Sequence, residues 1–361
     1  MTYLLKNTGF VLLLLLGAAA YGQTNQEKAL ELGLKAIKQM DNGQVAESVK
    51  LLQEAQLLDP TNIAYPYEIA YACYLQHDYK EAVRILSKLE DHKDASDRVF
   101  QLLGNSYDGL GKSDKALKIY EKGLKKFPNT GFLYLEMGIV YMNGNSIDKA
   151  LSYFEQGICA DPSFSSNYYW ASKLYCKTTE EMWDVLYGEI FMNLERNSKR
   201  TAEISKLLYN TYKSEIRITS DTTMSVSFSR NVVIPSSSVA LDGAKLPYSL
   251  IFEPTLMLSI VNEREIDINS LDRIRTNFLA NYYKQELNKN YPNALFEYMK
   301  KVQEAGHMEA YNHWILMKGE ENNFEEWVSL NRGKWNSFIS WFSNNKLQLD
   351  SNNKFYRGQF Q

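Results

Sequence analysis

The chain has 361 residues, 45% of them hydrophobic and 23% charged, with a formal net charge of −3. That composition excludes a disordered polymer, and neither half carries the basic excess of a nucleic-acid binder. Residues 23–195 hold 18 basic against 25 acidic residues, and residues 196–361 hold 21 against 18. Aromatic residues make up 13% of the chain, 25 tyrosines and six tryptophans among them, so many large rings must be buried or displayed at a binding surface.

The N-terminus reads as a secretory signal. Lys6 is the only charge ahead of an uninterrupted apolar run, Phe10 to Ala20. A membrane span asks for about 20 apolar residues, and this run is about half of that. Ala20 and Gly22 stand at the −3 and −1 positions of a cut that leaves Gln23 first. Residues 1–22 are therefore expected to be removed and the mature chain exported. No later segment is apolar enough to cross a membrane. Cys73, Cys159 and Cys176 are an odd set rather than a disulfide framework, and each reads as a small core residue of a helix.

The next stretch, residues 23–195, is periodic. Pro60, Pro128 and Pro162 follow helical patterns at separations that are multiples of 34. Taking each as position 32 of a unit starts units at Ala29, Ile63, Asp97, Gly131 and Ser165 without insertion. The third unit has Phe100, Leu103, Gly104, Tyr107, Ala116, Tyr120, Gly123 and Pro128 at positions 4, 7, 8, 11, 20, 24, 27 and 32. The fourth repeats this with Tyr134, Met137, Gly138, Tyr141, Ala150, Phe154, Gly157 and Pro162. Spacings of three and four put the first set on one helix face, and the small residues at 8 and 20 let two helices approach closely. One unit cannot bury its own apolar face, so units must stack. The fifth unit keeps a fitting first helix, Tyr168, Ala171, Ser172 and Tyr175. Asp184, Gly188 and Phe191 break the pattern of its second. Thr178 and Glu181 read there as a capping box that opens a helix early.

This pattern resembles the tetratricopeptide repeat family. The resemblance implies a mainly α fold, a right-handed superhelix of helix pairs, and a role in holding a protein or peptide along a concave groove. It implies no cofactor, metal or catalytic residue. In that family positions 2, 5, 9 and 12 of each first helix face the groove. Here they are Ala64, Tyr67, Tyr71 and Tyr74, then Arg98, Gln101, Asn105 and Asp108. Phe132, Leu135, Ile139 and Met142 follow, then Ser166, Tyr169, Lys173 and Cys176. The expected contact residues are Tyr67, Tyr71, Tyr74, Arg98, Gln101, Asn105, Leu135, Ile139, Tyr169 and Lys173. The variant that clamps a terminal carboxylate needs Lys and Asn where Gly33 and Ile37 stand, so that mode is not expected.

Residues 196–361 carry no recognised motif and read as an α-rich domain with a short hairpin near 216–234. Ile204, Leu207, Leu208 and Tyr212 form one side of a helix over 199–216. Ile216 and Ile218, then Met224, Val226 and Phe228, alternate like half-buried strands, with Asp221 and Thr222 at the turn. A serine- and proline-rich linker spans Pro235 to Pro247. Helical spacings return over 270–289, 293–304, 308–318 and 323–344, the last with a Trp335, Phe338, Ile339 and Phe342 stripe.

Enzyme signatures are absent: no nucleophile elbow, phosphate loop, HExxH or CxxC. His307 and His313 are six residues apart and point to different helix faces, so they read as solvated or core histidines. Glu253, Glu263, Glu265 and Asp267 read as a solvated loop. Two functions from different classes lead, ahead of an enzyme carried by the C-terminal half. One is an exported, periplasmic or envelope-associated adaptor of a Gram-negative bacterium that binds a protein or peptide in the groove. The other is a structural or homo-oligomeric envelope component whose groove is covered by its own C-terminal half.

Overall fold

A computed structural model describes residues 24–220, 223–230 and 246–360. The expected signal peptide, the Asp221-Thr222 turn and nearly all of the Pro235–Pro247 linker lie outside the described residues. No described helix is long and apolar enough to cross a membrane.

The chain divides into two compact units between Ala95 and Ser96. The first holds two antiparallel helix pairs, α1 (Asn25–Asp41) with α2 (Val45–Leu58), and α3 (Ala64–Leu75) with α4 (Tyr79–Leu89). Thr24 starts α1 with a full capping box: its hydroxyl accepts from the Glu27 N–H, and the Glu27 carboxylate accepts from the Thr24 N–H. Ala36, Leu52, Ala55 and Tyr65 sit in the core between the helices, small residues giving way to one large ring.

The second unit begins with three more pairs. They are α5 (Asp97–Gly109) with α6 (Ser113–Lys126), α7 (Gly131–Asn143) with α8 (Ile147–Ala160), and α9 (Ser165–Tyr175) with α10 (Met182–Leu194). Gly138 shows why position 8 is small. A Cβ added there would fall within the Phe154 ring, as one on Gly104 would fall within the Tyr120 ring. The first helix of a pair supplies the hole and position 24 of the second supplies the ring. Phe154 and Tyr120 are accordingly buried.

The fifth unit is a complete pair, although its second helix departs from the repeat pattern. α10 covers the same positions of its unit as α8 does, within one residue at the start. The expected capping box is not made: Thr178 donates to the Tyr175 carbonyl and accepts from the Glu180 N–H, and α10 begins at Met182. Asp184, fully buried where an alanine is usual, accepts from the Ser172 hydroxyl at 2.6 Å. Its other oxygen accepts from Thr211 at 2.7 Å. Gly188 leaves a hole at position 24, and the atoms against it are Leu208 and Ile204 as well as Ser172. Leu208, Ile204 and Thr211 belong to α11 (Lys199–Glu215), so a third helix fills the space that the pair's own aromatic fills elsewhere.

Residue 195, the expected domain boundary, lies inside this second unit. After α11, β1 (Ile216–Ser220) pairs antiparallel with β2 (Thr223–Val226), Ile216 opposite Val226 and Ile218 opposite Met224. Then come α12 (Ser249–Ser259), α13 (Ile268–Lys284), the one-turn α14 (Leu287–Asn290), α15 (Ala294–Glu304), α16 (Met308–Leu316), α17 (Glu321–Leu330) and α18 (Arg332–Asn344). Two readings are corrected here. No helix was expected at α12, which follows the Pro235–Pro247 linker and holds Glu253 of the expected loop. Pro254 lies inside α12. The single helix expected over 323–344 is broken at Asn331, which ends α17 and precedes α18.

A buried ion pair ties α10 to α13. Arg275 and Glu189 are each almost wholly enclosed, with two guanidinium nitrogens 2.6 and 2.9 Å from the two carboxylate oxygens. Tyr212, Tyr311 and Asn312 complete their hydrogen bonds, as a buried pair requires. Past α18 the chain runs back. Phe355 and Phe360 pack on Trp183 and Tyr248, and Arg357 reaches Glu155 at 3.0 Å and Glu180 at 3.1 Å.

Candidate functional site

The expected contact stripe divides into places with different fates. In the first unit Tyr67, Tyr71 and Tyr74 are all on α3 and all half-buried. Tyr71 packs on the core below, and the Tyr74 ring meets the edge of Tyr79 at 5.4 Å. Between them stands Glu68, half-buried, with no hydrogen bond among the described residues. Burial, with Asp41 nearby, pushes its pKa up to about 7.

In the second unit, α5 and α7 lie side by side and share a polar network. Arg98 donates to the Gln101 side-chain oxygen at 3.0 Å, and the Gln101 amide donates to Glu136 at 2.8 Å. Tyr120 donates to the Asn105 oxygen at 2.5 Å, and the Asn105 amide approaches the same Glu136 oxygen at 3.5 Å. Both amide oxygens are thus occupied, which fixes both NH2 groups toward the carboxylate. Burial raises the Glu136 pKa, and the two amides oppose that rise. The Arg98 guanidinium lies 4.0 Å from the centre of the Phe132 ring. Arg98, Asn105, Phe132, Glu136 and Ile139 are half-exposed, so this face is wet, charged and partly apolar at once.

Three expected contact residues are not available. Gln101 is buried, and its amide is spent on Glu136. Leu135 is fully enclosed because its side chain turns into the core shared with the fifth unit. Tyr169 is buried because α11 lies over it. Its hydroxyl donates to Glu203 at 2.6 Å, and Lys173 donates to the same carboxylate at 2.5 Å. Arg200 stacks on the Tyr169 ring at 4.8 Å and donates to Ser166 at 3.1 Å. The stripe on α9 therefore faces the chain's own helix.

Glu136 was missed by the sequence reading because position 6 falls beside the 2, 5, 9, 12 stripe. Its signal was an acidic residue flanked by apolar neighbours on a first helix, and Glu68 holds the same position of its unit. Other residues singled out from the sequence are explained by packing. His313 is buried, stacks on Trp327 at 4.2 Å, and has Nδ1 2.9 Å from the Glu309 carbonyl. Of the four carboxylates expected in a solvated loop, Glu265 is exposed there and the other three are placed otherwise. Glu263 is buried and pairs with Arg273, Glu253 lies in α12 and accepts from the Ser229 N–H, and Asp267 caps α13. The three cysteines are free and half-buried rather than core residues.

Helix pairs in an unbroken 34-residue register, with a half-exposed first-helix face, define a helical-repeat protein. Residues 97–129 match the family model described as tetratricopeptide repeat. No curated protein matches the chain. Among solved structures it is similar to PilF of Pseudomonas aeruginosa, at 15% identity over 52% of this chain and 86% of that one, TM-score 0.45. It is also similar to TTC0263, a thermophilic TPR protein in Thermus thermophilus, at 14% identity over 50% and 98%, TM-score 0.42. MamA of Desulfovibrio magneticus RS-1 is similar at 16% identity over 48% and 98%, TM-score 0.38. No family model matches the C-terminal half.

Proposed function

We propose that the protein is an exported, non-enzymatic adaptor that holds an extended segment of a partner polypeptide against the first-helix face of α5 and α7. The observation that carries this is the contrast along that face. Arg98, Asn105, Phe132, Glu136 and Ile139 are half-exposed around an ordered polar network, whereas the equivalent face of α9 is sealed by α11. A face with no binding role has little reason to keep a half-buried carboxylate oriented by two amides, since burying it costs stability. Phe132 and Ile139 supply apolar anchors, and Asn105 and Glu136 supply adaptable polar contacts.

The closure of α9 favours the second reading at that one step only: the chain covers its own fifth unit and leaves the fourth open. Export rests on the Phe10–Ala20 run and its small-residue cut. Intact-mass measurement of the secreted chain is expected to show Gln23 first, and a retained N-terminus would contradict export by this route. Binding is tested on an immobilised array of randomised decapeptides. Full-length mature protein is expected to retain a defined subset, and Ile139→Asp to weaken retention about tenfold or more. Equal retention by wild type and Ile139→Asp would contradict the reading.

A further inference from the structure

The Glu136 network says what kind of side chain that face takes. One carboxylate oxygen receives the Gln101 and Asn105 amides, and the other has no hydrogen bond among the described residues. The amides cannot turn away, because Arg98 holds the Gln101 oxygen and the buried Tyr120 holds the Asn105 oxygen. The carboxylate is therefore positioned before any ligand arrives, which is the condition under which a charged contact adds affinity rather than only desolvation. Arg98 acts on it at a distance, lowering its pKa, but makes no ion pair with it among the described residues. Arg98 is turned onto Phe132, and neither Arg98 nor Glu136 makes an ion pair among the described residues. No group of three or more metal-ligating side chains gathers among the described residues.

Resting on the reading of α5 and α7 as a binding face, we propose that Glu136 selects a partner segment by receiving the cationic head of a lysine or arginine side chain. The methylene stem of that side chain lies along Ile139 and Phe132, as long cationic side chains do on apolar surface. Two features agree. Residues 23–195 carry 25 acidic against 18 basic residues, a field that favours a basic partner. Glu68 occupies the same position of the repeat that starts at Ile63 and is also half-buried, though no amide orients it.

The test uses full-length mature protein on immobilised, N-acetylated decapeptides. One central position is Lys, Arg, Gln, Leu or Glu, and the rest are randomised. Acetylation removes the terminal amine as an alternative cation. Wild type is expected to retain Lys and Arg members about tenfold over Gln and Glu members, with the margin shrinking in high salt. Glu136→Gln keeps the shape and amide contacts and is expected to level the preference to within about twofold while peptides are still retained. Glu136→Asp keeps the charge and is expected to keep the preference, which separates loss of charge from loss of fold. An unchanged preference in Glu136→Gln, or none in wild type that still retains peptides, overturns the proposal and leaves the binding face standing. No retention above background by any of the three proteins overturns both.

Discussion

Phe154 and Gly188 hold the same position of successive repeats, and the difference between them divides the array into an open part and a closed one. In the fourth unit the ring of Phe154 lies over Gly138, and the pair is closed by its own residues. In the fifth, Ser172 and Asp184 are polar and Gly188 is bare, so α11 enters with Ile204, Leu208 and Thr211. Having docked there, α11 also brings Arg200 and Glu203 over the contact stripe of α9. A change in where the large residue comes from thus decides which first-helix face stays open. The lesson is general for stacked repeats: a hole left at one packing position is a docking site for the next element.

The largest break in this arrangement is expected at the ion pair that ties α10 to α13. Arg275→Met leaves Glu189 buried and uncompensated, and is expected to cost about 3–5 kcal/mol by chemical denaturation. Restoring the repeat consensus in the fifth unit comes next. Gly188→Phe drives a ring into Leu208 and Ile204, and is expected to cost about 3 kcal/mol and to expose Tyr169 as α11 is displaced. Increased iodination or hydrogen exchange at α9 would report that exposure.

Asp184 sharpens the comparison through pH. Burial pushes its pKa up to about 7, against the hydroxyls of Ser172 and Thr211, so the folded state binds a proton more readily than the unfolded one. Its contribution to stability is full below the unfolded value near 4 and is lost as pH rises through 7. Asp184→Asn, which imitates the protonated acid, is expected to match wild type near pH 4. It should gain on wild type as pH rises from 4 to 7, by about 4 kcal/mol in all and no further above that. A pH-independent difference would contradict this. The smallest effect is expected at Glu203→Gln, about 0.5 kcal/mol or less, because Lys173 and Glu203 are both partly in solvent.

Much of the packing was legible in the sequence because it is periodic. Ala116, Tyr120, Ala150 and Phe154 recur every 34 residues, and all are buried. The sealing of α9 was not legible. Arg200 and Glu203 look like the solvated face of an amphipathic helix, and nothing local says that they turn onto Tyr169. α12 was not legible: Pro254 is its sixth residue, past the first turn, and its missing N–H takes one bond out of the helix ladder, which is a strong breaker signal. Glu136 was missed because its role depends on Gln101 and Asn105 of another helix, a relation that no single-helix pattern contains.

The most direct test places a photo-crosslinking residue at Ile139 in one protein and at the buried Tyr169 in another, in cells producing the full chain. An open fourth unit beside a covered fifth predicts an adduct with a partner polypeptide from position 139 and none from position 169. Equal adducts from both, or an adduct from 169 alone, would contradict it.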